Sequence, residues 1–247
     1  MTIQLPEKPW SVTGRTIESK VRKAIYDYGL LDGSGNRVAV ALSGGKDSLT
    51  LLFMLHALSG FGFPALDIHA IHVGGPFSCG AGIDNKALKN VCEKIGISYH
   101  QQESTQKLET LSCYPCSRER RRLLFDTAKS LGITTIAFGH HQDDSVETGL
   151  MNLLHKGEFA GMLPKVPMHD YGVTIIRPLI LVEESEIITF AKQVGFARIL
   201  CACPVGAQSM RRKVKQLLEH IDEIYPNSSS NIALALRTYG STKALER

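Results

Sequence analysis

The sequence predicts an α/β fold in which a parallel sheet of five strands is flanked by helices. Apolar segments with strand composition alternate with helical segments along most of the chain. The 247 residues have a hydrophobic content of 43%, which is ample for a buried core. Strands that alternate with helices pair in parallel, and their ligands bind beyond the carboxyl ends of the strands. The loops that follow the strands are therefore where chemistry is expected.

The elements follow from the spacing of apolar residues. Ile17, Val21, Ile25 and Tyr28 recur at helical spacing and predict an amphipathic helix at residues 14 to 28. Strands are predicted at residues 38–42, 68–73, 97–101, 134–138 and 173–176. The helices between them are predicted at residues 49–55, 84–95, 117–130 and 145–154. We expect an N-terminal helical segment at 1–30, an α/β domain at 31–200 and a helical C-terminal segment at 201–247.

Composition limits the class of protein. The net charge of +4 is mildly basic, so it allows RNA binding without requiring it. No run of 18 apolar residues is present, and the first residues lack the basic-then-apolar pattern of a signal peptide. We therefore expect a cytoplasmic protein without a membrane partner. Its six cysteines are then reduced thiols or metal ligands rather than a disulfide framework.

A six-residue motif follows the first predicted strand directly: Ser43, Gly44, Gly45, Lys46, Asp47 and Ser48. A strand that turns through two glycines into a helix directs backbone N–H groups and the helix dipole at one point, which suits a phosphate. Lys46 adds a positive charge and the serines add hydroxyl donors. The alternative, a tight turn with Ser43 as helix N-cap, leaves Lys46 and Asp47 unexplained. The Walker A spacing is absent, which argues against an ordinary P-loop NTPase.

A second polar motif follows the fourth predicted strand: Gly139, His140, His141, Gln142, Asp143 and Asp144. Histidines and carboxylates at a strand end can coordinate Mg²⁺, orient ATP or transfer protons. The alternative is that Asp143 or Asp144 only caps the helix that follows.

Four of the six cysteines form two groups. Cys113 and Cys116 make a C-x-x-C pair, which fits a zinc half-site, a redox pair, an iron–sulfur half-site or chance. Cys201 and Cys203 can complete a site with that pair. Four thiolates would favour zinc, whereas three would allow a [4Fe–4S] cluster with one open iron, and spacing leaves both open. Cys92 is predicted to be a small core residue.

Basic residues cluster near both cysteine groups, at residues 118–122 and 211–215. Most charge runs are solvated helix faces, but together these two could bind RNA phosphates. Residues 156–165 are expected to form a loop that acts as a lid or contacts RNA.

The first motif, SGGKDS, resembles the PP-loop of the N-type ATP pyrophosphatases. The second motif, GHHxDD, resembles the tRNA 2-thiocytidine synthetases within that family, and the likeness extends from about residue 14 to the C-terminus. It implies the adenine-nucleotide α-hydrolase-like fold, with residues 43–48 holding the pyrophosphate part of ATP. Gly139 and His140 would bind the nucleotide too, and Asp143 would be a catalytic or Mg²⁺-organising carboxylate.

The same resemblance assigns the cysteines. Cys113, Cys116 and one distant cysteine would hold a [4Fe–4S] cluster whose fourth iron is free. Cys203 matches the distant cysteine better than Cys201, because its interval to Arg211 resembles that of the family. Cys203 would also take part in catalysis. Arg120 lies where related thiolation enzymes carry a basic residue at the active site.

The activity implied by the resemblance is ATP-dependent 2-thiolation of tRNA, with cytidine as the expected base. The C2 oxygen would be adenylated, and sulfur from the cluster would then replace it, forming AMP and pyrophosphate. The implied partners are tRNA, a sulfur donor system (a cysteine desulfurase or sulfide) and a second copy in a homodimer. Two alternatives are a PP-loop enzyme with another nucleophile, as in the tRNA lysidine synthetases, and a zinc-stabilised module that binds RNA or nucleotide.

Overall fold

The computed structural model describes residues 5–6, 10–75, 85–105, 113–196 and 210–242. These residues form eight α-helices and six strands. The helices are α1 (Val12–Asp27), α2 (Lys46–Leu58), α3 (Asn85–Lys94), α4 (Cys113–Ser130), α5 (Gln142–Lys156), α6 (Glu184–Val194), α7 (Met210–Ile224) and α8 (Ser228–Tyr239). The strands are β1 (Arg37–Ala41), β2 (Asp67–Gly74), β3 (Ser98–Glu103), β4 (Thr135–Ala137), β5 (Lys165–Met168) and β6 (Val173–Ile176). Cys201 and Cys203 lie outside the described residues, as does the side chain of Cys113.

The six strands form one sheet in the order β3-β2-β1-β4-β6-β5. All neighbouring strands are parallel except β5, which runs antiparallel to β6. The chain passes from β1 to β2 and β3 on one side and then returns to β4 on the other side of β1. The order therefore reverses between β1 and β4, and in such a sheet the carboxyl ends at the reversal form the ligand-binding crevice. The predicted α/β class is confirmed.

Two hydrophobic cores cover the two faces of the sheet. Successive residues of β1 point to opposite faces, so Val38 and Val40 join the core formed with α1, α2, α3 and α6, while Ala39 joins the core beneath α4. Helix α2 is buried on most of its surface, which explains its nearly unbroken apolar sequence. Phe53 of α2 packs edge-to-face on Phe196, with ring centroids 5.5 Å apart.

Helix α6, Glu184–Val194, was not predicted, and the structure differs from the predicted elements in three further places. A sixth strand, Lys165–Met168, was not predicted; it pairs with β6 and begins where the predicted loop of residues 156–165 ends. Helix α4 begins at Cys113 rather than residue 117, because Pro115 lies in the first turn, where a helix does not need its N–H. Helix α5 begins at Gln142 rather than residue 145, so Asp143 and Asp144 lie inside its first turn.

Helices α5, α7 and α8 form a third cluster beside the sheet, around Val146, Val214, Leu218 and Ala233. Helix α8 approaches α5 so closely that a Cβ at Gly149 would lie 2.5 Å from Cδ1 of Leu236. This packing places the start of α7 over the first turns of α5. None of the described helices is long and apolar enough to span a bilayer.

Candidate active site

The loop of residues 43–48, called the glycine loop below, is fastened by its own serines. The Gly44 N–H donates to Oγ of Ser48 over 3.1 Å, and the Gly45 N–H donates to Oγ of Ser43 over 3.3 Å. Gly44 has a φ of +82°, a left-handed conformation that glycine adopts without steric cost. The N-cap of α2 is Gly45, so the alternative in which Ser43 caps this helix is wrong. The loop presents the positive end of the α2 dipole at the carboxyl end of β1, which suits an anion.

Lys46, the first residue of α2, lies between two carboxylates. Its Nζ is 2.8 Å from Oδ1 of Asp47 and 3.0 Å from Oε1 of Glu184. Burial would lower the pKa of Lys46, but the two carboxylates outweigh it and raise this pKa. Glu184 begins α6 and also pairs with Lys215 of α7. Glu184 was not predicted as a site residue, because it lies 138 positions from Lys46 and outside any motif.

The glycine loop and the motif after β4 touch each other. A Cβ at Gly139 would lie 3.0 Å from the carbonyl carbon of Asp47 and 3.1 Å from the backbone nitrogen of Ser48. Such distances to backbone atoms leave no room for a side chain. The two motifs, 91 positions apart from Ser48 to Gly139 in sequence, therefore form one site at the reversal of strand order.

His141 is a buried residue surrounded by three carboxylates. Its ring nitrogens lie 3.4 Å from Asp143, 3.4 Å from Asp144 and 3.9 Å from Asp47. Burial would lower the pKa of His141, but these carboxylates outweigh it and raise the pKa. The ring links the glycine loop to the first turn of α5. His141 belongs to the motif that follows β4, but it was not predicted as a site residue.

Asp143 and Asp144 have different partners. Asp143 accepts a hydrogen bond from the backbone N–H of Glu184 over 2.8 Å. Burial would raise its pKa, but the contacts with His141 and with this N–H lower it, so the carboxylate is charged at neutral pH. Asp144 accepts from the backbone N–H of His141 over 3.1 Å and from Arg211 of α7 over 2.8 Å. The capping role considered for Asp144 is thus present, whereas Asp143 joins α5 to α6.

His140 has the opposite electrostatic setting from His141. Its ring stacks on Phe138 with centroids 5.6 Å apart, and its Nδ1 accepts a hydrogen bond from Nε of Arg177 over 3.3 Å. Burial and the charge of Arg177 lower the pKa of His140 to about 4. The ring is therefore neutral at pH 7, and because Nδ1 accepts, its proton is on Nε2. Arg177 belongs to none of the sequence motifs and was not predicted as a site residue.

Helix α4 brings the cysteine pair to the same edge of the sheet. Cys113 is its first residue and Cys116 lies three positions later, in the first turn of the helix. The side chain of Cys116 is buried. Within the described residues no group of three His, Cys, Asp or Glu side chains is placed to hold a metal ion. Cys92 lies in the core as predicted, and burial raises the pKa of its thiol to about 12.

The start of α4 is fixed to the ends of β2 and β3. Arg120 donates to the carbonyl oxygen of Val73 over 3.0 Å, next to the end of β2. Glu119 accepts from Oγ of Ser104 over 3.0 Å, just beyond β3. His72 of β2 is buried and donates from Nδ1 to the carbonyl of Leu42, the residue before the glycine loop. One row of strand ends thus carries the glycine loop, Arg120 and the cysteine pair.

Comparison with known proteins agrees with this arrangement. A family model described as a PP-loop domain matches residues 14–199. A tRNA-cytidine(32) 2-sulfurtransferase of Geobacter metallireducens is 32% identical over 243 residues, covering 94% of this chain and 93% of that protein. The protein of the same description from Citrifermentans bemidjiense is 35% identical over 232 residues, with 89% of each covered. Among solved structures, the U34-tRNA thiolase NcsA from Methanococcus maripaludis with its [4Fe-4S] cluster superposes with a TM-score of 0.75 at 25% identity, covering 95% of this chain and 80% of that one.

Proposed function

The chain belongs to the PP-loop family, and we propose that it is an ATP-dependent tRNA sulfurtransferase that replaces the C2 oxygen of a cytidine with sulfur. The observation that carries this proposal is the match to tRNA-cytidine(32) 2-sulfurtransferases over about nine-tenths of both chains. The contact between the glycine loop and residues 139–144, called the Gly139 loop, supports the proposal, since the two loops together form a phosphate site at the strand ends.

ATP activates the oxygen, which is otherwise a poor leaving group. The base oxygen attacks the α-phosphate, the bond between the α-phosphate and the bridging oxygen to the β-phosphate breaks, and pyrophosphate leaves. The N–H groups at the start of α2 and Lys46 hold the β- and γ-phosphates. Asp143, charged and partly exposed beside them, is the carboxylate that organises Mg²⁺. In the second step the carbon–oxygen bond breaks and AMP leaves as sulfur bonds to C2.

The two histidines have separate tasks. His141 lies among Asp47, Asp143 and Asp144, which raise its pKa, and it keeps these carboxylates in place before Mg²⁺ and ATP arrive. His140, neutral with its proton on Nε2, is a hydrogen-bond donor rather than a general acid at neutral pH. Its orientation is set by Arg177 and by stacking on Phe138.

Cys113, Cys116 and Cys203 are the proposed cluster ligands. The donor set fits an iron–sulfur group, because the first turn of α4 carries two of the three cysteines and begins at the row of strand ends. A thiol at a helix N-terminus also ionises more easily, and thiolates are the ligating form. When bound, a [4Fe–4S] cluster would supply an open iron that carries the incoming sulfur. The expected sulfur donor system and homodimer stay predictions.

The test measures thionucleosides and ATP binding separately. Mass spectrometry of total tRNA nucleosides, from cells with and without this gene, should show loss of 2-thiocytidine in its absence. Complementation with Cys116→Ala or Cys203→Ala should fail to restore 2-thiocytidine, while the purified variants still bind ATP. Cys201→Ala is the matched control and should restore it.

Each other outcome has a definite meaning. If a different thionucleoside disappears, the chemistry stands and the cytidine assignment is wrong. If no thionucleoside changes, the proposal is wrong. If the cysteine variants also lose ATP binding, it is wrong to assign ATP binding to the glycine loop and only sulfur transfer to the cysteines. One zinc ion with four cysteine ligands, in place of iron and acid-labile sulfide, would support the zinc-stabilised binding module.

A further inference from the structure

A cavity of about 280 Å³ lies beside α4, on the face of the sheet opposite α1 and α2. We call it the α4 pocket. Its lining consists of Ser117, Arg118, Arg121, Arg122, Phe125, Met168 and Tyr171. The α4 residues of this set recur at intervals of three and four positions, so they form one face of the helix. Three of the seven lining residues are arginines and none is acidic.

The positive charge in this pocket is only partly neutralised. Arg122 pairs with Asp126 one turn later, over 3.1 Å. Arg118 and Arg121 are exposed and have no ion pair with any residue in the described part of the chain. Exposed arginines that are close together and unpaired repel one another, and an anion relieves that repulsion. The forked guanidinium group suits the oxygens of a phosphate.

The floor of the pocket is apolar and aromatic. Phe125 is buried beneath the helix, and Tyr171 packs edge-to-face on it with centroids 5.1 Å apart. Tyr171 ends a short 3-10 turn that is closed by Gly172, whose φ is +62°. The ring is therefore held in place while staying partly exposed. A fixed aromatic ring below arginines is the combination that binds an unstacked base together with its phosphate.

The arginine side of the α4 pocket lies toward the active site, because Arg120 on the same stretch of α4 contacts the carbonyl of Val73 near the carboxyl end of β2, whereas Tyr171 precedes β6 and lies at its amino end. Burial is the main cause that lowers the pKa of Arg177 to about 10, and the charge of Arg121 adds to it. Arg177 in turn donates to His140 in the loop after β4. On the other side, a second cavity of about 580 Å³ shares Met168 and Tyr171 with the pocket and continues toward Lys156. An extended strand that contacts Tyr171 can therefore continue on both sides of it, along α4 toward Arg118 and along the second cavity.

We propose that the α4 pocket binds one nucleotide of the RNA substrate on the same strand as the base that is modified but not adjacent to it, with Arg118 and Arg121 on its phosphate and Tyr171 against its base. This inference rests on the proposed function, because it needs RNA as the substrate. The occupant is single-stranded RNA rather than an acidic protein, since acidic side chains would pair with the arginines but would not stack on the ring of Tyr171 as a base does. The pocket anchors the RNA so that the target base, displaced from its stack, reaches the glycine loop.

The test is binding of unmodified tRNA transcribed in vitro, followed by fluorescence anisotropy at several salt concentrations. The double variant Arg118→Ala/Arg121→Ala should bind at least about tenfold more weakly. Its plot of log affinity against log salt should be shallower by about 0.7 for each arginine removed. Tyr171→Leu should also bind about tenfold more weakly, whereas Tyr171→Phe keeps the ring and should bind within about twofold of wild type.

Two controls separate docking from folding and from catalysis. ATP binding by all these variants should equal that of wild type, and thermal unfolding of Tyr171→Leu should still be cooperative. Lys23→Ala removes an exposed charge from α1, on the opposite face of the sheet, and should leave tRNA affinity and its salt dependence unchanged.

Wild-type affinity and salt dependence in the double variant would overturn the proposal. If that variant also restored 2-thiocytidine in cells, the surface would be wrong while the proposed function stood. Equal loss of ATP binding would overturn it as well, since the arginines would then support the active site. A wild-type protein that neither binds nor thiolates tRNA would refute both inferences.

Discussion

Replacing Glu147 by glutamine should stabilise the protein at alkaline pH and leave it nearly unchanged at acidic pH. The Glu147 side chain is 8% exposed, and its Oε2 lies 3.5 Å from Nε of Arg211. Burial is the main cause that raises its pKa from 4.5 to about 7, and Asp144 adds to this while Arg211 opposes it. The carboxylate is therefore more costly to ionise in the folded protein than in the unfolded chain.

The sign and size follow from the two pKa values. Below pH 4.5 Glu147 is protonated in both states and contributes no pH dependence. Between pH 4.5 and about 7 the unfolded chain ionises first, so stability falls as the pH rises. Above about pH 7 the full penalty is present, and the difference between the two pKa values corresponds to about 3 kcal/mol. Glutamine has no charge to bury, so Glu147→Gln removes this penalty.

Urea unfolding at pH 4.5 and pH 8 measures the effect. The free energy of unfolding of Glu147→Gln should exceed that of wild type by up to about 3 kcal/mol at pH 8 and differ little at pH 4.5. Glu93→Gln is the control, because Glu93 is an exposed partner of Lys89 and should change stability by less than about 0.5 kcal/mol at both pH values. A difference that is the same at both pH values, or destabilisation at pH 8, would refute the reasoning.

Two further predictions concern ATP binding, and calorimetry checks both. Gly139→Ala should weaken ATP affinity at least tenfold, because a Cβ 3.0 Å from the Asp47 backbone must displace the glycine loop; unchanged affinity would show that the two loops move independently. Lys46→Ala should bind ATP at least about tenfold more weakly, since charged hydrogen bonds contribute about 1.5–3 kcal/mol each. Lys215→Ala should weaken ATP affinity by less than about threefold, although Lys215 pairs with the same Glu184. Equal losses in the two lysine variants would contradict the assignment of Lys46 to phosphate.

The sequence predicted the sheet well where its strands are buried and parallel. Buried strands carry continuous apolar runs, and β6 was predicted at its observed bounds. Strand β5 was missed because it is a short edge strand, Lys165–Met168, with Pro167 inside it and no alternation. The start of α4 was missed because Pro115 indicates a break, although a proline in the first turn does not interrupt a helix.

The candidate site was predictable only where a motif marks it. The glycine loop and the Gly139 loop have local signatures, and the strand-end rule was enough to bring them together. Glu184, Arg177 and Arg211 reach the site from other elements through single side-chain contacts. Such contacts leave no periodicity or spacing in the sequence, because they depend on how α5, α6 and α7 pack. The electrostatic difference between His140 and His141, adjacent in sequence, has the same origin.

Helix α4 sets the distance between the sulfur source and the RNA. Cys116, proposed to hold the sulfur source, and Arg121, proposed to hold the RNA, are five positions apart on one continuous helix, about 8 Å along its axis. Because Glu119 ties the same turn to the residues beyond β3, the helix cannot slide to change this spacing. Inserting one alanine between Cys116 and Arg121 would rotate the arginine face by about 100° relative to the cysteine, so sulfur and RNA would each have a place on the protein but would no longer face each other.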